Sequence, residues 1–275
     1  MKILLTILIL ILSFVYTALP VLAALNTTSA DLETDSSETN FTVADSADLD
    51  ITSSFTFEMW LNWESTTPLM RLFDKATITV GTGGYGAYWN TDNTISIKVN
   101  DGSNNCELGR GHTPTTGTWY HFAAVFDDTA NVIRHYINGS QVGADQTCNF
   151  APSNTAQFLS IGSHADRGNS FDGKMDDVRL YNVARTGAAI AADYQQQLVG
   201  NETGLVGYWM LNNGAGTCGT TQLEDKGEST DPAGAVADDL TNVNSTQCVT
   251  DVPFTNAGAA AAVVPKRRLN VIIIE

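Results

Sequence analysis

The sequence predicts an all-β protein, an antiparallel sandwich, on three observations. Apolar and polar residues alternate with a period of two over short segments. Clusters rich in Gly, Asn and Asp separate those segments, and a single stretch reads as helix. The clearest strand runs from Phe55 to Trp63, with Phe55, Phe57, Met59, Leu61 and Trp63 on one face and Thr56, Glu58, Trp60 and Asn62 on the other. Thr94 to Val99 alternates likewise and runs into an Asn100-Asp101-Gly102 turn. Trp119 to Phe126 is a longer apolar strand ended by Asp127 and Asp128. Val132 to Ile137 follows, closed by the hairpin signal Asn138-Gly139. Phe158 to Ile161 and Met175 to Tyr181 complete the set. The helical stretch lies near 186–198, capped by Thr186 and stopped by Gly200.

The two ends of the chain speak to compartment. Lys2 precedes an apolar run from Ile3 to Leu12 that extends to Pro20, and Val21-Leu22-Ala23-Ala24 offers a small-residue cleavage site. This is the pattern of a secretory signal peptide over residues 1–23, with a membrane anchor as the alternative. The mature chain is then expected outside the cell or on its surface, with no membrane span. At the other end, the small-residue run from Ala257 and the segment from Lys266 to Glu275 read as a flexible tail, a pairing strand or the start of a longer architecture.

All four cysteines (Cys106, Cys148, Cys218 and Cys248) fall in the exported part, which points to two disulfides in an oxidising compartment. Three pairings are open. Cys106–Cys148 with Cys218–Cys248 is preferred because each pair lies within one region of sequence. The spacing holds no C-x-x-C, so a zinc or redox motif is not expected. The formal net charge is -16. Such a surface repels nucleic acid and anionic membranes, and it suits cations, neutral sugars or basic partners.

The order Ser53 to Trp60, Gly117 to Val125, Tyr136-Ile137-Asn138-Gly139, Ile161-Gly162-Ser163 and Phe171 to Asn182 resembles the laminin G-like family. Val43 to Leu49 is similar to that family's first strand, and the helix stands where the family has one. The resemblance covers residues 25–198. It implies a concanavalin A-like jelly-roll sandwich of two curved antiparallel sheets. Residues 199–252 are expected as an appended, disulfide-stapled extension packing on the sandwich, and residues 253–275 as the tail.

Superfamily members that hydrolyse glycans place an E-x-D-x-E strand on a sheet face, and no such strand is present here. Glu58 shares its face only with Trp60 and Asn62, and Asp177 shares its face with Arg179 and Tyr181. Pairing of Glu58 with Arg179 across two strands is the expected use of both. His121 and His135 read as packed histidines. The chain is therefore expected to be a binding module and not an enzyme.

Sugar recognition calls for an aromatic platform ringed by amide, carboxylate or guanidinium groups. Tyr88, Trp89, Arg110, His164, Asp166, Arg167 and Asn169, expected on loops and strand ends, are the ligand-binding candidates. The expected partner is an extracellular or cell-wall glycan, with a protein partner as the alternative. Structural calcium is the one cofactor expectation. The resemblance implies a site joining Asp176 to Asp45 and Asp48; a carboxylate that only accepts backbone N–H groups is the alternative for Asp176.

Overall fold

A computed structural model describes residues 28–33, 39–66, 69–75, 82–163, 169–211, 216–217, 240–243 and 246–253. The expected signal peptide, the tail beyond residue 253, Cys218, His164, Asp166 and Arg167 lie outside the described residues.

The described strands, in chain order, are β1 (Ser29–Leu32), β2 (Asn40–Val43), β3 (Phe55–Trp63), β4 (Met70–Lys75), β5 (Gly84–Trp89), β6 (Thr94–Asn100) and β7 (Asn105–Gly111). They continue with β8 (Trp119–Asp127), β9 (Val132–Ile137), β10 (Ser140–Gln141), β11 (Gln146–Thr147), β12 (Leu159–Ile161) and β13 (Gly173–Tyr181). After the helix α1 (Gly187–Asp193) come β14 (Leu205–Trp209), β15 (Gly216–Thr217), β16 (Leu240–Val243) and β17 (Gln247–Val249). One sheet has ten strands in the order β10-β9-β8-β3-β13-β1-β17-β15, with β11 also on β9 and β14 also on β13. The other has seven, β16-β2-β12-β4-β5-β6-β7. This is the two-sheet antiparallel sandwich the sequence leads one to expect. The segment after residue 199 supplies strands to both sheets.

The inner faces meet through aromatic rings. Phe57 stacks on Phe73 of the opposite sheet with centroids 3.6 Å apart. Trp63 meets Trp89 edge-on at 6.1 Å, and Phe55 lies 4.8 Å from Tyr85. All five inward residues of β3 are fully buried. At about 1.5–3 kcal/mol for each large side chain removed from water, this strand is a principal source of stability. The β9–β10 hairpin turns on Asn138 and Gly139, both with positive φ (50° and 74°), as the Asn-Gly pair requires.

Two expectations about β3 and β13 are corrected. Alternation predicts one buried face for β3, yet every one of its nine residues is buried. The outer face is covered because Ile190 of α1 packs on Ala123, Val125 and Tyr136, while Tyr181, Leu198, Leu205 and Tyr208 form a further small cluster. The helix is also shorter than the 186–198 stretch, ending at Asp193. Its last carbonyls are taken by the sheet below: the Trp60 indole donates to the Tyr194 carbonyl at 2.9 Å and Arg179 to the Asp193 carbonyl at 3.3 Å. Gly139 permits this docking, since a Cβ there would lie 3.0 Å from the Tyr194 ring.

On β13, simple alternation puts Asp176 on the inner face with Val178 and Leu180. The register instead pairs Asp176 with Trp60 and Arg179 with Glu58, so β13 carries one extra residue between them. Asp177 sits in this bulge with φ 51°. The bulge places Asp176 on the outer, polar face, opposite Trp60.

The disulfide Cys106–Cys148 joins β7, at the edge of the seven-stranded sheet, to the residue after β11 of the other sheet, as preferred from the spacing. Closing a span of 42 residues contributes about 4 kcal/mol in the chain-entropy view. Cys248 is also disulfide-bonded, and among the described residues no cysteine is free.

His135 is the least comfortable residue of the core. It is fully buried edge-on to Phe122, with both ring nitrogens unpartnered. Burial first, and then the neighbouring His112 and Arg110, lower its pKa from 6.5 to about 3. Above pH 6.5 the group is neutral whether the chain is folded or not. Below that pH the unfolded chain takes up a proton that the folded chain refuses down to about pH 3. Stability is therefore lost as pH falls through this window, by up to about 1.4 kcal/mol per pH unit. Urea unfolding between pH 6.5 and pH 4 should show His135→Gln losing less stability than wild type by this slope; parallel curves would contradict it.

Candidate functional site

Three polar assemblies stand out, and they differ in what they can do. The first is a buried ionic network on the outer face of the ten-stranded sheet, under α1. Glu58, His121, Asp177 and Arg179 are all essentially unexposed. Glu58 meets His121 Nε2 at 3.3 Å, Arg185 at 2.6 Å and Arg179 at 3.6 Å. Arg179 also pairs with Asp177, which accepts from the Tyr208 hydroxyl at 2.7 Å. Arg185 bridges onward to Asp193 of α1. The expected cross-strand pairing of Glu58 with Arg179 is thus present, inside a larger network. Burial alone would raise the Glu58 pKa, but the hydrogen bond and charge of His121 and the two guanidinium groups bring it down to about 2. A carboxylate held ionised in this way cannot donate a proton near neutral pH. Burial raises the Asp177 pKa, while its oxygens stay engaged by Arg179 and Tyr208. The network ties sheet to helix.

The second assembly lies on the outer face of the same sheet, nearer its other end. The register sets Asp31, Lys174, Asn62 and Trp119 side by side on β1, β13, β3 and β8. Trp119 is half-buried, and its indole N–H donates to Asp251 Oδ1 at 3.1 Å. The other oxygen of Asp251 pairs with Lys174 at 3.2 Å, and Lys174 also pairs with Glu64 at 2.9 Å. Asn62 of β3 lies between Trp119 and Lys174 in the register of the strands. Asn62 is fully buried there, with neither its amide nitrogen nor its oxygen partnered. Beside them, carboxylate oxygens of Asp31, Glu33 and Glu64 lie within 4.8 Å of one another. Burial and then the charge of Glu64 raise the Asp31 pKa, against the opposing charge of Lys174. The patch therefore offers an aromatic surface, an ammonium group and clustered carboxylates, with Trp119, Lys174 and Asp31 on strands and Glu33 and Glu64 directly after β1 and β3.

The third assembly is on the outer face of the seven-stranded sheet. Arg71, Tyr88, Ser96 and Gly109 form one cross-strand row, and Asp74, Gly86, Lys98 and Glu107 the next. The Arg71 guanidinium stands 4.6 Å from the centre of the Tyr88 ring. The Tyr88 hydroxyl donates to Glu107 Oε1 at 2.6 Å.

The residues expected from sequence fall out unevenly. Trp89 is fully buried against Trp63 in the core and cannot meet a ligand. The segment expected as a loop is a central strand, where Tyr85, Ala87 and Trp89 point inward and Tyr88 outward; glycines at 84 and 86 hide the alternation. Arg110 has its guanidinium donating to the carbonyls of Val142, Ala144 and Gly109, so it fastens a loop. Asn169 is exposed, and its carbonyl accepts from the Arg71 N–H at 2.7 Å. Among the described residues of that set, Tyr88 is half-buried on the polar face of a sheet and Asn169 is exposed on a loop. Trp119 was not expected, because its strand reads as continuously apolar. Its pairing opposite Asn62, on the polar face of β3, is the signal that locates it.

Asp45, Asp48 and Asp176 are not brought together as a metal site. Asp176 belongs to the ten-stranded sheet, whereas Asp45 pairs with Lys75 at the end of β4. Lys75 is buried and also meets Asp50 at 3.7 Å and the carbonyl of Thr155 at 3.1 Å. The ammonium group already supplies the positive charge that these oxygens require. Among the described residues, the one metal-competent cluster is Asp31, Glu33 and Glu64. Lys75→Met should cost about 3–5 kcal/mol in urea unfolding, because it leaves buried acceptors unpaired. Millimolar calcium should not restore the loss, and full restoration would contradict this assignment.

The description "concanavalin A-like lectin/glucanases superfamily" matches residues 35–191, in its laminin G-like branch. A candidate carbohydrate-binding protein from Bacteroides ovatus superposes with a TM-score of 0.62 at 18% identity, over 83% of this chain and 61% of that one. The chain thus spans about three fifths of that protein's length. A pentraxin of the SAP-like type from Limulus polyphemus gives a TM-score of 0.45 at 16% identity, over 60% of this chain and 79% of its own. Domains LG4-5 of the mouse laminin alpha1 chain give 0.44 at 16% identity, over 56% of this chain and 40% of theirs. No curated protein matches the sequence. With the match covering more than half its length, the chain belongs to the laminin G-like family of the concanavalin A-like lectin/glucanases superfamily.

Proposed function

We propose that the protein is an exported, non-catalytic module that binds extracellular or cell-wall glycan through the Trp119 patch. The observation that carries this reading is Trp119, half-buried with its indole held by Asp251, beside Lys174 and the Asp31, Glu33 and Glu64 carboxylates. A sugar ring has an apolar face that packs on an aromatic surface and hydroxyls that reach charged groups around it. The superposition with a candidate carbohydrate-binding protein supports this class of ligand, and the fold is one on which many functions are grafted. The ionised, enclosed state of Glu58 supports binding without hydrolysis. The disulfide Cys106–Cys148 suits a chain that works in an oxidising compartment.

Calcium, if used, fits Asp31, Glu33 and Glu64 better than the Asp176 grouping. The donors there are hard oxygens, one Asp31 oxygen is buried without a partner, and the Asp31 carboxyl already feels the charge of Glu64. A cation held there would neutralise the cluster and fix the orientation of its carboxylates beside the indole.

A glycan array probed with the purified chain, with calcium and again with chelator, tests the proposal. Trp119→Ala should weaken retention of the bound glycan about tenfold or more while near-ultraviolet circular dichroism stays native-like. Asp31→Asn should remove any gain from calcium. Retention of no glycan in either condition, or retention indifferent to Trp119→Ala, would overturn the reading.

A further inference from the structure

We infer that Lys75 and Asp45 condense to an intramolecular amide bond in the folded chain, with Asp50 as the proton relay. Strand alternation puts Lys75 where a lysine is least at home. It follows Phe73 by two residues on β4, and Phe73 stacks on Phe57 of the opposite sheet, so both side chains belong to the inner face. Its register partners on the neighbouring strands are Tyr85 and Leu159, both in the core. The Lys75 side chain is only 1% exposed. An ion pair taken out of water carries a desolvation cost that a neutral amide does not.

The two carboxylates beside the amine stand in different positions. Asp45 Oδ1 contacts Nζ directly, and the Asp45 side chain is 35% exposed. Asp50 Oδ1 lies 3.7 Å from Nζ, buried and without a hydrogen bond. Its other oxygen accepts from the Asn154 amide at 2.9 Å, which fixes the carboxylate with one oxygen left for the amine. The backbone around them is anchored. The Tyr85 hydroxyl donates to the Leu49 carbonyl at 3.0 Å, and Nζ itself also donates to the carbonyls of Thr155 and Gln157. Groups held in contact on such a frame react as if at very high concentration, which removes the need for an activated ester. Lys174 also meets two carboxylates, Glu64 and Asp251, but all three are more open to water and make an ordinary surface pair.

The step balances with no oxidant, reductant or cofactor. One proton of the Lys75 ammonium passes to Asp45, leaving an amine and a carboxylic acid. The nitrogen lone pair attacks Cγ of Asp45 and forms the C–N bond. Asp50 takes a second proton from the nitrogen and delivers it to the departing hydroxyl. The C–O bond breaks, and one water leaves by the exposed side of Asp45. The product ties the end of β4 to the connection between β2 and β3, which passes from one sheet to the other, across a span of 30 residues. It is a second covalent staple beside Cys106–Cys148, and one that a reductant does not open.

The test is the intact mass of the wild-type full chain, kept folded for several days and then reduced and fully unfolded. The mass should fall one water short of the sum of its residues. Protease digestion should yield a branched peptide joining the segments that contain Asp45 and Lys75. Lys75→Arg, which keeps the charge, and Asp50→Asn should each hold the full mass, with cooperative thermal unfolding as the folding control. A wild-type chain of full mass overturns the inference without any variant having to fold. So does a lost water that survives Lys75→Arg, or one that maps to a succinimide at Asp101-Gly102 or Asp172-Gly173. Linkage formed as fast by Asp50→Asn overturns the relay.

Discussion

Arg179 is the charge on which the ten-stranded sheet and its helix depend. Its guanidinium is wholly buried, which is tolerable only because Asp177, Glu58 and the carbonyl of Asp193 surround it. Those partners come from β13, β3 and the end of α1, so satisfying one cation fixes three elements together. The bulge at Asp177 is part of the same solution. It inserts one residue so that Asp176, Asp177 and Arg179 can all address the polar face. Carboxylates that would otherwise be natural candidates for acid–base chemistry are thereby committed to holding α1 on the sheet.

With that region closed, the proposed binding role rests on a polar surface elsewhere on the ten-stranded sheet. Trp119 and Lys174 sit on strands, and both are held by Asp251, which follows β17. Rigid placement of this kind limits the ordering cost of binding. Lys75 plays the corresponding part at the loops that join the sheets, its ammonium group gathering Asp45, Asp50 and the carbonyls of the 155–157 segment.

Much of the fold was legible in sequence because period-two alternation and turn chemistry are local. The five inward residues of β3, the Asn138-Gly139 turn and the Thr186 cap are all found where alternation and capping put them. The sites were less legible because they depend on register between strands distant in sequence. Nothing local marks Trp119 as the register partner of Asn62, and nothing before Asp177 announces a bulge that turns Asp176 outward. Trp89 misled for a related reason: the glycines around it suggest a loop, whereas they are the small outward positions of an interior strand. The Asp45 segment looked ready for a cation, and the cation proved to be Lys75, thirty residues away.

The role proposed for this sandwich is to hold glycan without cleaving it. The most direct measurement incubates the purified chain for days with the polysaccharide it retains most strongly and quantifies new reducing ends. Retention with no reducing ends above the buffer control is what the enclosed, ionised Glu58 predicts. Steady release of reducing ends, lost when Glu58 is changed to Gln, would contradict it.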